Sequence, residues 1–275
     1  MNYHLNVELR RMPGKATWNS SFDSFTTVLE LLDDQHADIL RQSFLWPLYQ
    51  LREVQYSGQI IDALLCRLLS RVDGDAFHFD LGGKVVSFSM FEFALVTGLK
   101  ITGDEAASKE IQRRNRLHDA YFQGQGAIIL PQLIDAIRRC DQMLDRLKLG
   151  LVYILESVLR CHHKKTAIDI FHLEIVDDID RFNNYHWGRR CFEDTVHVFT
   201  RSHSKPKGFV RKYNTYGLPL ALQIWAYETV PLLGTRFAKR GGGYTLPSNV
   251  PLASISSRRM SNWETIIGSS RRPSS

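Results

Sequence analysis

The stretch that most limits what this chain can become is FHFDLGGKVVSFSMFEFALVTGL, residues 77–99, where three local signals agree on one unit. Phe77, Phe79 and Leu81 alternate with polar His78 and Asp80, and a period of two sets one face of a strand against a core. Gly82 and Gly83 supply the positive φ that a two-residue hairpin turn demands, and residues 85–88 return as a second strand. Ser89 stands three residues before Glu92, the spacing of a capping box, and Phe91, Ala94 and Leu95 stripe the helix it opens. Gly98 closes that helix as a left-handed cap.

Around this unit, apolar residues recur mainly at helical spacing. A helix is predicted from Ser24 or Thr26 to about Ser43, ending at FLWPLY, where Pro47 disfavours helix at Trp46. Residues 58–72 read as one amphipathic helix with Ile60, Ile61, Leu64, Leu65, Leu68 and Leu69 on its stripe. Residues 102–116 favour helix but lack an apolar face and read as a solvated helix or a mobile loop, and 130–147 and 149–159 are two further helical runs, the second apolar nearly all round. Residues 167–175 leave extended and helical forms open, 176–188 are turn-rich, and 190–200 and 217–230 are predicted helices. With 44% hydrophobic residues in 275, a real core is expected. The expected fold is mainly α: a single helical domain over residues 25–233 with a small embedded β-hairpin. Residues 1–24 are expected to be a flexible lead-in and 234–275 a basic, mostly disordered tail.

The formal charge of +6 suggests nucleic acid only until it is located. Arg236, Lys239, Arg240, Arg258, Arg259, Arg271 and Arg272 face Glu264 alone in the tail, so residues 1–233 sum to neutral. One run in the body stands out: RSHSKPKGFVRK, residues 201–212, carries Arg201, Lys205, Lys207, Arg211 and Lys212 without an acid, beside Phe209 and Tyr213. Basic residues interleaved with aromatics suit phosphates and stacked bases; the plainer reading is a solvated loop. Cys66, Cys140, Cys161 and Cys191 lie far apart with no CxxC pair and read as reduced and intracellular. The amino terminus places charges where a signal peptide needs an apolar core, and the most apolar stretch, 217–234, carries Glu228 and two prolines. Neither secretion nor a membrane partner is expected.

Several constellations invite chemistry, each with a simpler reading. Cys161, His162, His163, Cys191 and His197 supply the residue types of a cysteine protease, and Cys161, His163, His186 and Cys191 those of a zinc site, although only His186 and Cys191 have ligand spacing. Thiols set beside apolar runs read instead as small core residues. Glu174, Asp177, Asp178 and Asp180 suggest a two-metal nuclease, against a solvated helix start favoured by the dipole. Residues 89–99 have the shape of the first helix and turn of a helix-turn-helix, yet the segment that would read DNA begins with acidic Asp104 and Glu105, so Ser89 and Gly98 read as structural caps. No catalytic residue, cofactor or metal is assigned.

The order of FHFDLGGKVVSFSMFEFALVTGL, LGLVYILESVLR, LEIVDDIDRFNNYHWGRRCFE and YGLPLALQIWAYETVP resembles the plant domain of unknown function 1985. The resemblance runs from about Phe44 to about Trp263, with Trp187, Gly188 and Trp225 as its aromatic signatures; the plant mobile domain is similar at greater distance. It implies a transposon origin in a plant genome, often upstream of a SUMO-protease-like domain, and brings no catalytic residues with it. That protease-like neighbour is expected to be absent from this chain. The function expected is a non-catalytic interaction module that recruits an unidentified protein partner, with an intracellular and nuclear placement. The alternative is a nucleic-acid-binding module using residues 201–212 and the tail, and the third reading is a remnant of a transposon-encoded protease or nuclease.

Overall fold

The computed structural model describes residues 2–70, 76–103, 115–161, 165–201, 208–230 and 233. In chain order the elements are α1 (Val7–Arg11), β1 (Gly14–Trp18), α2 (Asp23–Leu29), α3 (Asp34–Gln42), a 3₁₀ helix (Trp46–Glu53), α4 (Gly58–Leu65), β2 (Ala76–Asp80), β3 (Val85–Ser89) and α5 (Met90–Thr97). There follow α6 (Arg116–Phe122), α7 (Leu130–Arg139), α8 (Met143–Leu155), a π-helical turn (Glu156–Arg160), α9 (Ile170–Ile175), α10 (Ile179–Asn184), α11 (Trp187–Thr200), β4 (Arg211–Thr215) and α12 (Pro219–Thr229). The protein is mainly helical with an embedded hairpin, as the periodicities predict.

The hairpin forms as its residues require. Strands β2 and β3 pair antiparallel with Phe77 opposite Phe88, and Gly82 and Gly83 turn the chain at φ of 68° and 83°. Leu81 N donates to Lys84 O (2.8 Å), and Gly83 N donates to Asp80 Oδ1 (2.8 Å). The capping box is made: Ser89 Oγ accepts from Phe91 N (3.1 Å) and Glu92 Oε2 accepts from Ser89 N (2.7 Å). Gly98 ends α5 in the left-handed region at φ 71°.

The hairpin's inner face carries Phe77, Phe79 and Phe88 into the core. There Phe199 of α11 lies 5.4 Å from Phe77 between ring centres, and Trp225 of α12 lies 5.2 Å from Phe88 and 5.7 Å from Phe79. Helix α8 forms the second centre, packed by α2, α3 and α7 and buried over most of its length, as an all-apolar run must be. Trp187 opens α11, donates Nε1 to Phe182 O (2.7 Å) and stacks on Phe44. Gly188 N donates to Lys100 O (2.8 Å), and a Cβ at Gly188 would meet that carbonyl at 2.7 Å. Glycine is required there by close approach of another backbone.

Several expectations are corrected. Residues 2–24 of the expected lead-in are structured: β1 pairs parallel with β4, and Leu5, Leu9 and Ala16 join the core. The helix expected over 24–43 divides because Asp33 accepts from His36 N (2.9 Å) and caps α3 afresh. The helix expected over 58–72 stops at Leu65, since Leu68 and Leu69 bridge to Phe79 and Tyr3 as extended backbone. The break expected near residue 148 falls at Cys140, whose carbonyl accepts from Arg146 Nε (3.0 Å). Residues 167–175 resolve to α9, capped by Asp169, and the turn-rich 176–188 contains α10, capped by Asp178. Residues 104–114 and the tail, 234–275, lie outside the described residues. Among the described residues no helix is long and apolar enough to cross a membrane.

Candidate functional site

Four polar constellations stand out, and their charge balance separates them. The first surrounds the π-helical turn. Glu156 Oε1 contacts His172 Nδ1 at 2.6 Å with both groups buried, and Arg160 pairs with Asp194. Cys161 ends the turn at φ 35°, accepting from Trp18 Nε1 (3.0 Å) and donating to Gly217 O (3.3 Å). Burial pushes the Cys161 thiol up to about 12 and raises Cys191 as well, which opposes the thiolate a protease needs. His197 is exposed on α11, on a helix whose Cys191 is buried; His162 and His163 lie outside the described residues.

The second contains the acidic run. Arg116 forks onto Asp145 (2.6 and 2.8 Å) and reaches Asp177 (2.7 Å), while Lys148 Nζ donates to Asp177 Oδ1 (2.7 Å). Asp178 is engaged as the α10 cap. Asp145 and Asp177 are thus held by cations and Asp178 by backbone, and among the described residues no three His, Cys, Asp or Glu side chains gather to hold a metal. Hydrogen bonds from Arg116 hold Asp177 down to about 2 and lower Asp145 too. The stabilisation is therefore complete above the ordinary carboxyl value of 3.8 and is lost as pH falls toward about 2. Arg116→Gln is expected to flatten the acid limb of a melting-temperature profile; an unaltered limb would contradict this pairing.

The third lies under the β1–β4 pair. Arg211, expected in a solvated basic run, is 4% exposed and pairs with Asp62 (2.9 Å), with Nη2 also 3.1 Å from Cys66 Sγ. Its position is the inward one of β4, where Arg211, Tyr213 and Thr215 alternate with outward Lys212 and Asn214. Arg211 is thus removed from the proposed nucleic-acid contacts by the period of the strand.

The fourth is the outer face of the same pair and remains open. A concavity of about 530 Å³ is lined by Lys15, Thr17, Arg201, Lys212, Tyr213, Asn214 and Tyr216. Lys15 and Lys212 are register partners on adjacent strands, both exposed. Arg201 donates Nη2 to Asn214 O (3.1 Å), which holds it beside β4, and it lines the concavity. No acid lines the concavity, and no acidic partner of Lys15 or Lys212 occurs among the described residues. Of the sequence-predicted contacts, Arg201 and Lys212 therefore come together, Arg211 does not, and Lys205 and Lys207 lie outside the described residues. Lys15 was missed: its strand is five residues long, and only its parallel partner brings it to the site.

Fold and site together define a mainly helical domain whose amino-terminal strand and a late strand build a cationic concavity. Residues 65–198, just under half of the chain, match the family described as Domain of unknown function (DUF1985). The matched segment holds the hairpin, the Ser89–Glu92 cap, Gly98, Trp187 and Gly188; Trp225 and both strands of the cationic face lie beyond it. No curated protein and no solved structure matches the chain.

Proposed function

We propose that this protein is a non-catalytic binding module for nucleic acid, held on the cationic outer face of β1 and β4. The observation that carries the reading is the register pairing of two exposed lysines, Lys15 and Lys212, beside Arg201 in a concavity without an acid. Like charges on adjacent strands repel, and a bound phosphate relieves that repulsion. Counterion release then makes binding steeply dependent on salt. The buried thiols and the cation-held acids support the non-catalytic part. A nuclear placement and a transposon origin agree with such a ligand. The protein-partner reading has the exposed apolar side chains Val85 and Phe91 in its favour.

The test is fluorescence anisotropy of a labelled single strand titrated with the full chain across a salt series. Each phosphate contact contributes about 0.7 to the log–log salt slope for single strands. The double variant Lys15→Ala, Lys212→Ala is expected to lower that slope by about 1.4 and to weaken binding at every salt concentration. An unchanged slope would place binding elsewhere, the basic tail included.

A further inference from the structure

We propose that the ligand of this face is a single strand, read by stacking one unpaired base on Phe209; the inference rests on the nucleic-acid reading above. Phe209 is 92% exposed, the most exposed of the large apolar side chains described. It stands on the bend at 208–210 that leads into β4. Strand β4 is anchored from its first residue, since Arg211 N donates to Pro13 O (2.9 Å) and the Arg211 side chain is buried against Asp62. The ring is therefore tethered to a fixed strand, with its Cα no more than about 11 Å from that of Lys212, three residues on.

An exposed aromatic alone is unremarkable on a protein surface. Here it stands three residues before the exposed Lys212, and that combination selects among polyanions. A duplex presents phosphates to the lysines but keeps its bases stacked, so Phe209 would find no partner. A single strand offers both a backbone for Lys15, Lys212 and Arg201 and a free base face for the ring, the pairing used by sequence-tolerant single-strand binders. Tyr216, which lines the concavity, adds a second aromatic surface.

The experiment compares a labelled oligodeoxythymidine of about 16 nucleotides, the upper end of ordinary single-strand site sizes, with the duplex of the same strand and its complement. Full-length protein and the variants Phe209→Ala and Phe209→Trp are titrated with each. The expected result is tighter binding of the single strand, a loss of roughly tenfold for that probe in Phe209→Ala, no change for the duplex, and recovery in Phe209→Trp. Equal binding of both probes with Phe209→Ala silent would overturn the single-strand inference, while salt-slope loss in the lysine double variant would leave the nucleic-acid reading intact. Failure of the unaltered chain to bind either probe would remove both. Vesicles of phosphatidylserine form the last arm: vesicle binding lost in Phe209→Ala, with oligonucleotide binding kept, would assign the ring to a lipid surface and overturn the inference.

Discussion

Replacing Trp225 with alanine is expected to destabilise the protein by about 3 to 5 kcal/mol, read as a fall in the urea midpoint with little change in slope. The size follows from its position. Pro219 starts α12, at the helix position where a missing N–H costs nothing. The helix is then buried through residues 219–226, and the Trp225 ring is the largest fully buried side chain among the described residues. Phe79 from β2 and Phe88 from β3 press against that ring at 5.7 and 5.2 Å, so its loss leaves a hole under both strands of the hairpin. The walls cannot close readily, because Phe88 is also fixed by Phe93 and Phe192. A midpoint equal to that of the unaltered protein would show that Trp225 does not join α12 to the hairpin.

The second large effect is at Asp62. Asp62→Ala is expected to cost about 3 to 5 kcal/mol, the usual penalty for leaving a buried charge without its partner. Arg211 cannot release its proton to escape that penalty, and its Nε and Nη1 are already buried without a hydrogen-bond partner among the described residues. Arg211→Met is expected to behave differently. Burial pushes the Asp62 carboxyl up from its ordinary value, against the pull of Arg211 and the Tyr213 hydroxyl. With the guanidinium gone the carboxyl rises further and can take a proton. A group with a raised folded-state carboxyl value costs stability when ionised, so the deficit of Arg211→Met shrinks as pH falls through that value. Asp62→Ala has no such relief. Denaturation near neutrality and in mildly acidic buffer separates the two; matching, pH-independent losses would contradict the pairing.

Features set by neighbours in the chain were legible. The Gly82–Gly83 turn, the Ser89–Glu92 cap and the Gly98 stop each need only a few adjacent residues, and all three form. Features set by distant partners were not. An apolar run such as residues 60–69 suits a helix throughout, yet Tyr3 and Phe79 draw Leu69 and Leu68 into bridges, and the helix ends at Leu65. The parallel pairing of Gly14–Trp18 with Arg211–Thr215 joins two five-residue segments from opposite ends of the body, and no turn signal connects them. The candidate site inherits this difficulty. Charge counting located Arg201 and Lys212 but grouped Arg211 with them, although the alternation in Arg-Lys-Tyr-Asn-Thr separates an inward from an outward set. Lys15 becomes visible only when its partner strand is known.

The measurement that bears most directly on the central claim is ultraviolet cross-linking of the full chain to a thymine oligonucleotide, followed by mass-spectrometric mapping of the adducts. Adducts on Phe209 and Tyr216, diminished when Lys15 and Lys212 are replaced by alanine, are the predicted result. Adducts confined to residues 234–275, or an adduct pattern indifferent to both lysines, would contradict a nucleic-acid interface on the β1–β4 face.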